Sequence, residues 1–241
     1  MGSHGSRPQI QSEIVDLATL RGAFSHEFER WDVAVGRADT ELARQARAAI
    51  RAIAFQRLKV APAAMGGFYL FCDSGFREGL GGLRYVGIAD GSRRPIGQRI
   101  VDRLRDDSAL DISLDTLPVE IARRRVHDRL VCALPASGQN YVDKHLRVAE
   151  LFRCSPVVLL LGTTEPSPII REAERVLIGA AAAAGAPLFN RQHLNFRGPA
   201  STRAVALVEA VIDEVSNCGV LEAGVRRWRD QISSMKPSLI S

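Results

Sequence analysis

Residues 65–90 read MGGFYLFCDSGFREGLGGLRYVGIAD, and the architecture of the chain follows from how they pair. Two apolar, aromatic-bearing runs at 68–72 and 83–89 have the length and composition of short strands. Between them Asp73, Ser74 and Gly75, then Gly79, Gly81 and Gly82, supply the turn chemistry for an extended return loop. The spacing predicts an antiparallel β-hairpin, and Pro62 with Gly66 and Gly67 ends whatever precedes it.

Before the hairpin, residues 8 to about 60 read as helical. Ile14, Leu17, Leu20, Phe24 and Phe28 recur at three-to-four spacing, and 42–58 alternates alanine with Arg44, Arg47, Arg51 and Arg57. Those arginines suit a solvated face, with a nucleic-acid contact as the competing reading. After the hairpin, Ile96, Ile100, Val101 and Leu104 mark one face of a helix that carries Arg99, Arg103 and Arg105 on or beside the other. Residues 106–155 are poorly patterned, with a strand expected at 118–122 and a helix at about 140–152. The run 156–162 is continuously apolar and β-branched, as a buried strand is. Ser167 as N-cap, Pro168 at the first helical position and Glu172 and Glu174 in the opening turns predict a helix reaching Gly185 and stopped by Pro187. Helices at 202–215 and 220–232 follow. The expected organisation is an N-terminal helical arm (8–62), a core (63–198) with an insert around 106–155, and a C-terminal helical extension (199–241). The expected fold class is α+β, a small, mostly antiparallel central sheet flanked by helices.

Composition bounds the function. The chain has 241 residues, 46% hydrophobic and 24% charged, with 32 Lys and Arg against 27 Asp and Glu, a net charge of +5. Arginines spread along the chain suit a surface facing phosphates, although an arginine-rich proteome gives the same balance. Cys72, Cys132, Cys154 and Cys218 form no CxxC pair, which argues against a zinc knuckle or a disulfide framework and for free thiols in a reducing cytosol. No apolar run reaches the roughly 18 residues of a membrane span. Met1 to Ser6 lacks the apolar segment of a signal peptide and reads as a cloning remnant. A cytoplasmic protein is expected.

Four pieces then occur in order: Gly67-Phe68-Tyr69, Tyr85-Val86-Gly87, Arg99 on the next helix, and Glu174 on a later helix followed by Pro187-Leu188-Phe189-Asn190. Together they resemble the GIY-YIG nuclease family, over residues 66–191. The segment Gly87-Ile88-Ala89-Asp90 and the Pro-x-x-Asn ending are most similar to its type II restriction endonucleases. The resemblance implies a Mg²⁺- or Mn²⁺-dependent endonuclease that hydrolyses phosphodiester bonds of double-stranded DNA, and a homodimer or higher homo-oligomer acting on a symmetric target.

The implied site is Tyr69, Tyr85, Arg99, Glu174 and Asn190. Hydrolysis by in-line displacement needs a positioned water, positive charge on the phosphorane and a metal at the leaving oxygen. Glu174 alone can hold one Mg²⁺ that keeps most of its waters. Arg99 offers a planar fork for non-bridging oxygens. By resemblance Tyr69 is the candidate base, with Tyr85 assisting. A phenol with its ordinary pKa near 10 then needs help from Arg99 or a metal-bound hydroxide. Asn190 is expected to tie down its segment.

The chain departs from the family pattern at Arg103, where many members have histidine, leaving phosphate binding by Arg103 or entry of His127, His145 or His193 as alternatives. The longer segment carrying Arg93, Arg94 and Pro95 is expected to form a loop on the DNA backbone, joined by Arg191 and His193. Arg123 to Arg125 read equally as a phosphate grip or a solvated face. Each piece also has a bland reading: edge strands with buried aromatics, a surface Arg99, a solvated Glu174 with Glu172 as its rival. Two other functions stay open, a structure-specific repair or recombination nuclease and a catalytically silent DNA-binding module.

Overall fold

The computed structural model describes residues 7–17, 26–27, 30, 33–34, 37, 39–73, 79–91, 94–100, 157–188, 190, 192–219 and 222–235. Two compact units divide the chain, one combining Met1–Asp16, Val60–Gly97 and Ser155–Ser241, the other Leu17–Lys59 and Gln98–Cys154.

The first unit is built on a four-stranded, fully antiparallel sheet. Its strands are β1 (Ile10–Asp16), β2 (Gly66–Cys72), β3 (Leu83–Ala89) and β4 (Val157–Thr163), in the order β1-β4-β2-β3. The expected hairpin is β2 and β3, paired from Gly67 opposite Ala89 to Cys72 opposite Leu83. β4 is the expected buried strand. It pairs with β1 on one side and β2 on the other, and all but its first residue are buried. Strand β1 corrects the helical reading of the N-terminus. Ile14 and Leu17 have helical spacing, but backbone pairing of Ile10–Asp16 with β4 determines the conformation, and at the sheet edge little of β1 is buried.

Three helices cover one face of this sheet: α2 (Ser167–Ala183), α3 (Thr202–Asn217) and α4 (Glu222–Ser233). Phe68, Leu70, Cys72, Val86, Leu159 and Leu161 point into them and share one core with Ile170, Ala173, Val176, Leu177, Leu207, Val211 and Trp228. Helix α2 packs on β3 and β2. Each such large apolar side chain contributes about 1.5–3 kcal/mol on full burial, so the helix–sheet contact is the main stabilising layer. The start of α2 differs by one position from the sequence reading. Pro166 is the N-cap, no side chain caps the helix, its first turn is free of acids, and Ser167 Oγ is buried without a hydrogen-bond partner among the described residues.

In the second unit the expected helix is present as α1 (Thr40–Arg57). Asp39 caps it, Oδ1 accepting from the Leu42 N–H at 2.9 Å. Arg44 is exposed and donates to Glu41 through Nε at 2.9 Å and Nη2 at 2.6 Å, the behaviour of a solvated helix face. The expected strand at 118–122 and helix at 140–152 lie outside the described residues, as do Arg123 to Arg125, His127 and His145.

Candidate active site at the edge strand

Alternation along β2 and β3 puts Tyr69, Phe71, Tyr85 and Gly87 on the sheet face opposite the helices. The three rings form one cluster. Tyr69 and Tyr85 stack with centroids 6.1 Å apart and planes at 29°. Phe71 meets each edge-on, at 5.9 Å and 6.1 Å.

Gly87 lies directly opposite Tyr69 in the ladder. A Cβ there would stand 2.3 Å from Tyr69 Cζ and 2.6 Å from its hydroxyl oxygen. The Tyr69 ring is therefore laid across Gly87, with its hydroxyl over β3, the edge strand. Any larger residue at 87 would deny the ring that position. Gly67 has a comparable constraint: its φ is +141° and a Cβ would stand 2.1 Å from Leu161 O. Two glycines of the motif residues thus answer to close approach. Tyr69 is only 2% exposed, while Tyr85 is half-buried and is the more accessible ring.

The outer edge of β3 is closed by Asn190. Its Oδ1 accepts from the Val86 N–H at 3.0 Å and its Nδ2 donates to Val86 O at 2.7 Å. Asn190 is buried, 9% exposed, and its side chain substitutes for one residue of a missing neighbour strand. This is the tethering role expected of it, between residues 104 apart in sequence.

Glu174 is half-buried on α2, on the row formed by Ile170 and Ile178, both in the core. It therefore stands at the margin of the helix's buried face, and it has an interaction partner. Glu172 is engaged elsewhere. Its carboxylate accepts from Ser201 N–H at 2.7 Å and Ser201 Oγ at 2.6 Å, and these bonds hold it below the usual carboxylate range. Ser201 in turn caps α3, Oγ accepting from Ala204 N–H at 3.2 Å. Through that contact Glu172 ties α2 to the start of α3. No local sequence signal marks it, because Ser201 lies 29 residues further on.

The two rings and the helix that carries Glu174 thus lie on opposite faces of the sheet. Arg99 lies in the second unit, half-buried, with Nε buried and unpartnered among the described residues. Arg94 is exposed and engaged in an interaction. Arg93, Arg103 and Arg191 lie outside the described residues. His193 is half-buried with φ of +66°, a left-handed conformation histidine tolerates better than most residues. Burial, and then the charge of Arg175, push its pKa below the ordinary value.

Among the described residues no group of three or more His, Cys, Asp or Glu side chains could hold a metal. A single carboxylate at a helix margin is a donor set that fits Mg²⁺, which takes one or two carboxylates and completes its shell with water. Cys72 and Cys218 are free, Cys72 buried with its thiol pKa pushed up by burial and then by Asp73. No helix among the described residues is long and apolar enough to cross a membrane. Comparison with protein-family profiles, curated proteins and solved structures finds no match to this chain.

Proposed function

We propose that this protein is a Mg²⁺-dependent DNA endonuclease of GIY-YIG type, cutting double-stranded DNA at specific sites as a homodimer or higher homo-oligomer in the cytoplasm. The observation that carries this reading is the meeting at β3 of the β2–β3 hairpin and the segment after α2, which are distant in sequence. Tyr69 lays its hydroxyl over Gly87, Tyr85 stacks beside it, and Asn190 ties the segment after the Glu174 helix to Val86.

On this reading Glu174 would hold the metal, which supplies charge stabilisation at the leaving oxygen. The Tyr85 and Tyr69 hydroxyls orient the attacking water, Tyr85 being the ring that solvent reaches first. Arg99, in the second unit, is the guanidinium that the resemblance to the family nominates for a non-bridging phosphate oxygen. Asn190 holds the β3 backbone in place without touching substrate.

A second reading is a DNA-binding module without cleavage. The burial of Tyr69 favours it, since a base must reach the proton it takes. Incubation of the chain with mixed plasmid DNA and Mg²⁺ separates the two. Discrete fragments support the site-specific nuclease and a smear supports a non-specific one. Intact plasmid in the presence of measurable binding supports the module.

A further inference from the structure

The outer side of α2 carries guanidinium groups that the edge-strand site leaves unused. Arg171 and Arg175 are both exposed. Four residues apart, they stand one above the other, about 6 Å apart along the helix axis. Gly179 is next on that row, and there Arg197 arrives from the following loop. Its Nη1 donates to Gly179 O at 2.9 Å and to Phe196 O at 2.6 Å. That nitrogen also reaches Leu194 O at 3.4 Å, so a third guanidinium is anchored at the next turn of α2.

The line is held in place. Arg175 sits over the Phe196 ring, Cζ 5.9 Å from the centroid, which restricts a side chain that otherwise samples many rotamers. Neither acid of α2 lies in this row. Glu172, bound to Ser201, also lies close enough to Arg175 to feel its charge, and Glu174 has an interaction partner of its own.

We propose that Arg171, Arg175 and Arg197 form a phosphate-gripping row that holds one strand of duplex DNA alongside Glu174. A row of about 12 Å is long enough to meet several consecutive phosphates of one strand. Neutralising phosphates releases counterions, so the row contributes a salt-dependent, sequence-independent part of the affinity. The inference takes its choice of partner from the proposed function, but it requires binding alone.

The test is fluorescence anisotropy of the full chain with a labelled DNA duplex in EDTA, across a range of NaCl concentrations. The slope of log K against log salt becomes shallower by about 0.9 for Arg171→Gln and about 1.8 for Arg171→Gln/Arg175→Gln, while Arg175→Lys retains the wild-type slope. Circular dichroism checks that the variants fold, and exposed Arg171 gives a variant free of the Phe196 contact. A double variant with the wild-type slope and affinity, or a wild-type chain that does not bind duplex, overturns the proposal. A shallower slope in a chain that never cuts plasmid supports the row and removes only the nuclease reading.

Discussion

Asn190 and Val86 are joined by two hydrogen bonds, so a carboxamide occupies the backbone edge of β3 where another strand would otherwise pair. This makes the hairpin and the segment after α2 one piece. It also shields an edge that would otherwise recruit a foreign strand. Removing the amide leaves a buried N–H and C=O unpaired, each at about 1–3 kcal/mol. Asn190→Ala is therefore expected to lower stability by roughly 2–4 kcal/mol, read from urea unfolding. Asn190→Asp keeps the acceptor but turns an oxygen toward Val86 O, and is expected to be no less damaging.

The contact between Tyr69 and Gly87 is tested by its coupling. Gly87→Ala in the native background forces the ring off the strand and is expected to cost about 1–3 kcal/mol, as overpacking does. With Tyr69→Ala already present, the added methyl meets no ring and the second substitution costs much less. A double-mutant cycle by thermal or urea unfolding measures the difference, and additive effects would show that the ring lies elsewhere.

Glu172 supplies a pH dependence with a defined sign. Its folded pKa is depressed by Ser201, so the folded state binds fewer protons than the unfolded state in that range. Its stabilising contribution is complete above the ordinary carboxylate pKa of about 4.3 and is lost as pH falls through the lower folded value. Glu172→Gln flattens that acid limb while costing stability at neutral pH. Unfolding midpoints of the two proteins measured from neutral to acid pH converge if the account holds and stay parallel if it does not.

Trp228 is fully buried and its Nε1–H has no acceptor among the described residues. Trp228→Phe removes an unsatisfied donor along with some packing, and is expected to change stability by no more than about 1 kcal/mol. Trp228→Ala, by contrast, opens a large cavity at about 3–5 kcal/mol. A large loss in the Phe variant, measured by calorimetry, would mean that the indole N–H is paired.

What the sequence makes legible divides along the range of the forces involved. The hairpin, β4 and α2 to α4 show in local pattern: turn glycines, an unbroken apolar run, proline at a helix start and three-to-four periodicity. Strand β1 does not, because Ile10–Asp16 becomes extended through pairing with β4, some 150 residues away, and competes with a helical spacing through Ile14 and Leu17. The same holds for the site. Tyr69, Tyr85 and Asn190 could be nominated from motif order, and Gly87 by its place beside Tyr85. That Glu172 belongs to Ser201 depends on how two helices meet. Which sheet face each group occupies followed only from register, and it separates the tyrosine cluster from the core face on which α2 packs. The Arg171, Arg175 and Arg197 row was equally hidden, since it needs a loop folded back onto Gly179.

The most direct measurement of the central claim is Mg²⁺-dependent cleavage of supercoiled plasmid by wild type and Glu174→Ala, with DNA affinity measured in EDTA on the same preparations. The account predicts that wild type nicks or linearises the plasmid, that chelation stops it, and that the variant retains fold and affinity with cleavage reduced by at least about a hundredfold. Equal cleavage by the two proteins, or cleavage indifferent to chelation, would contradict it.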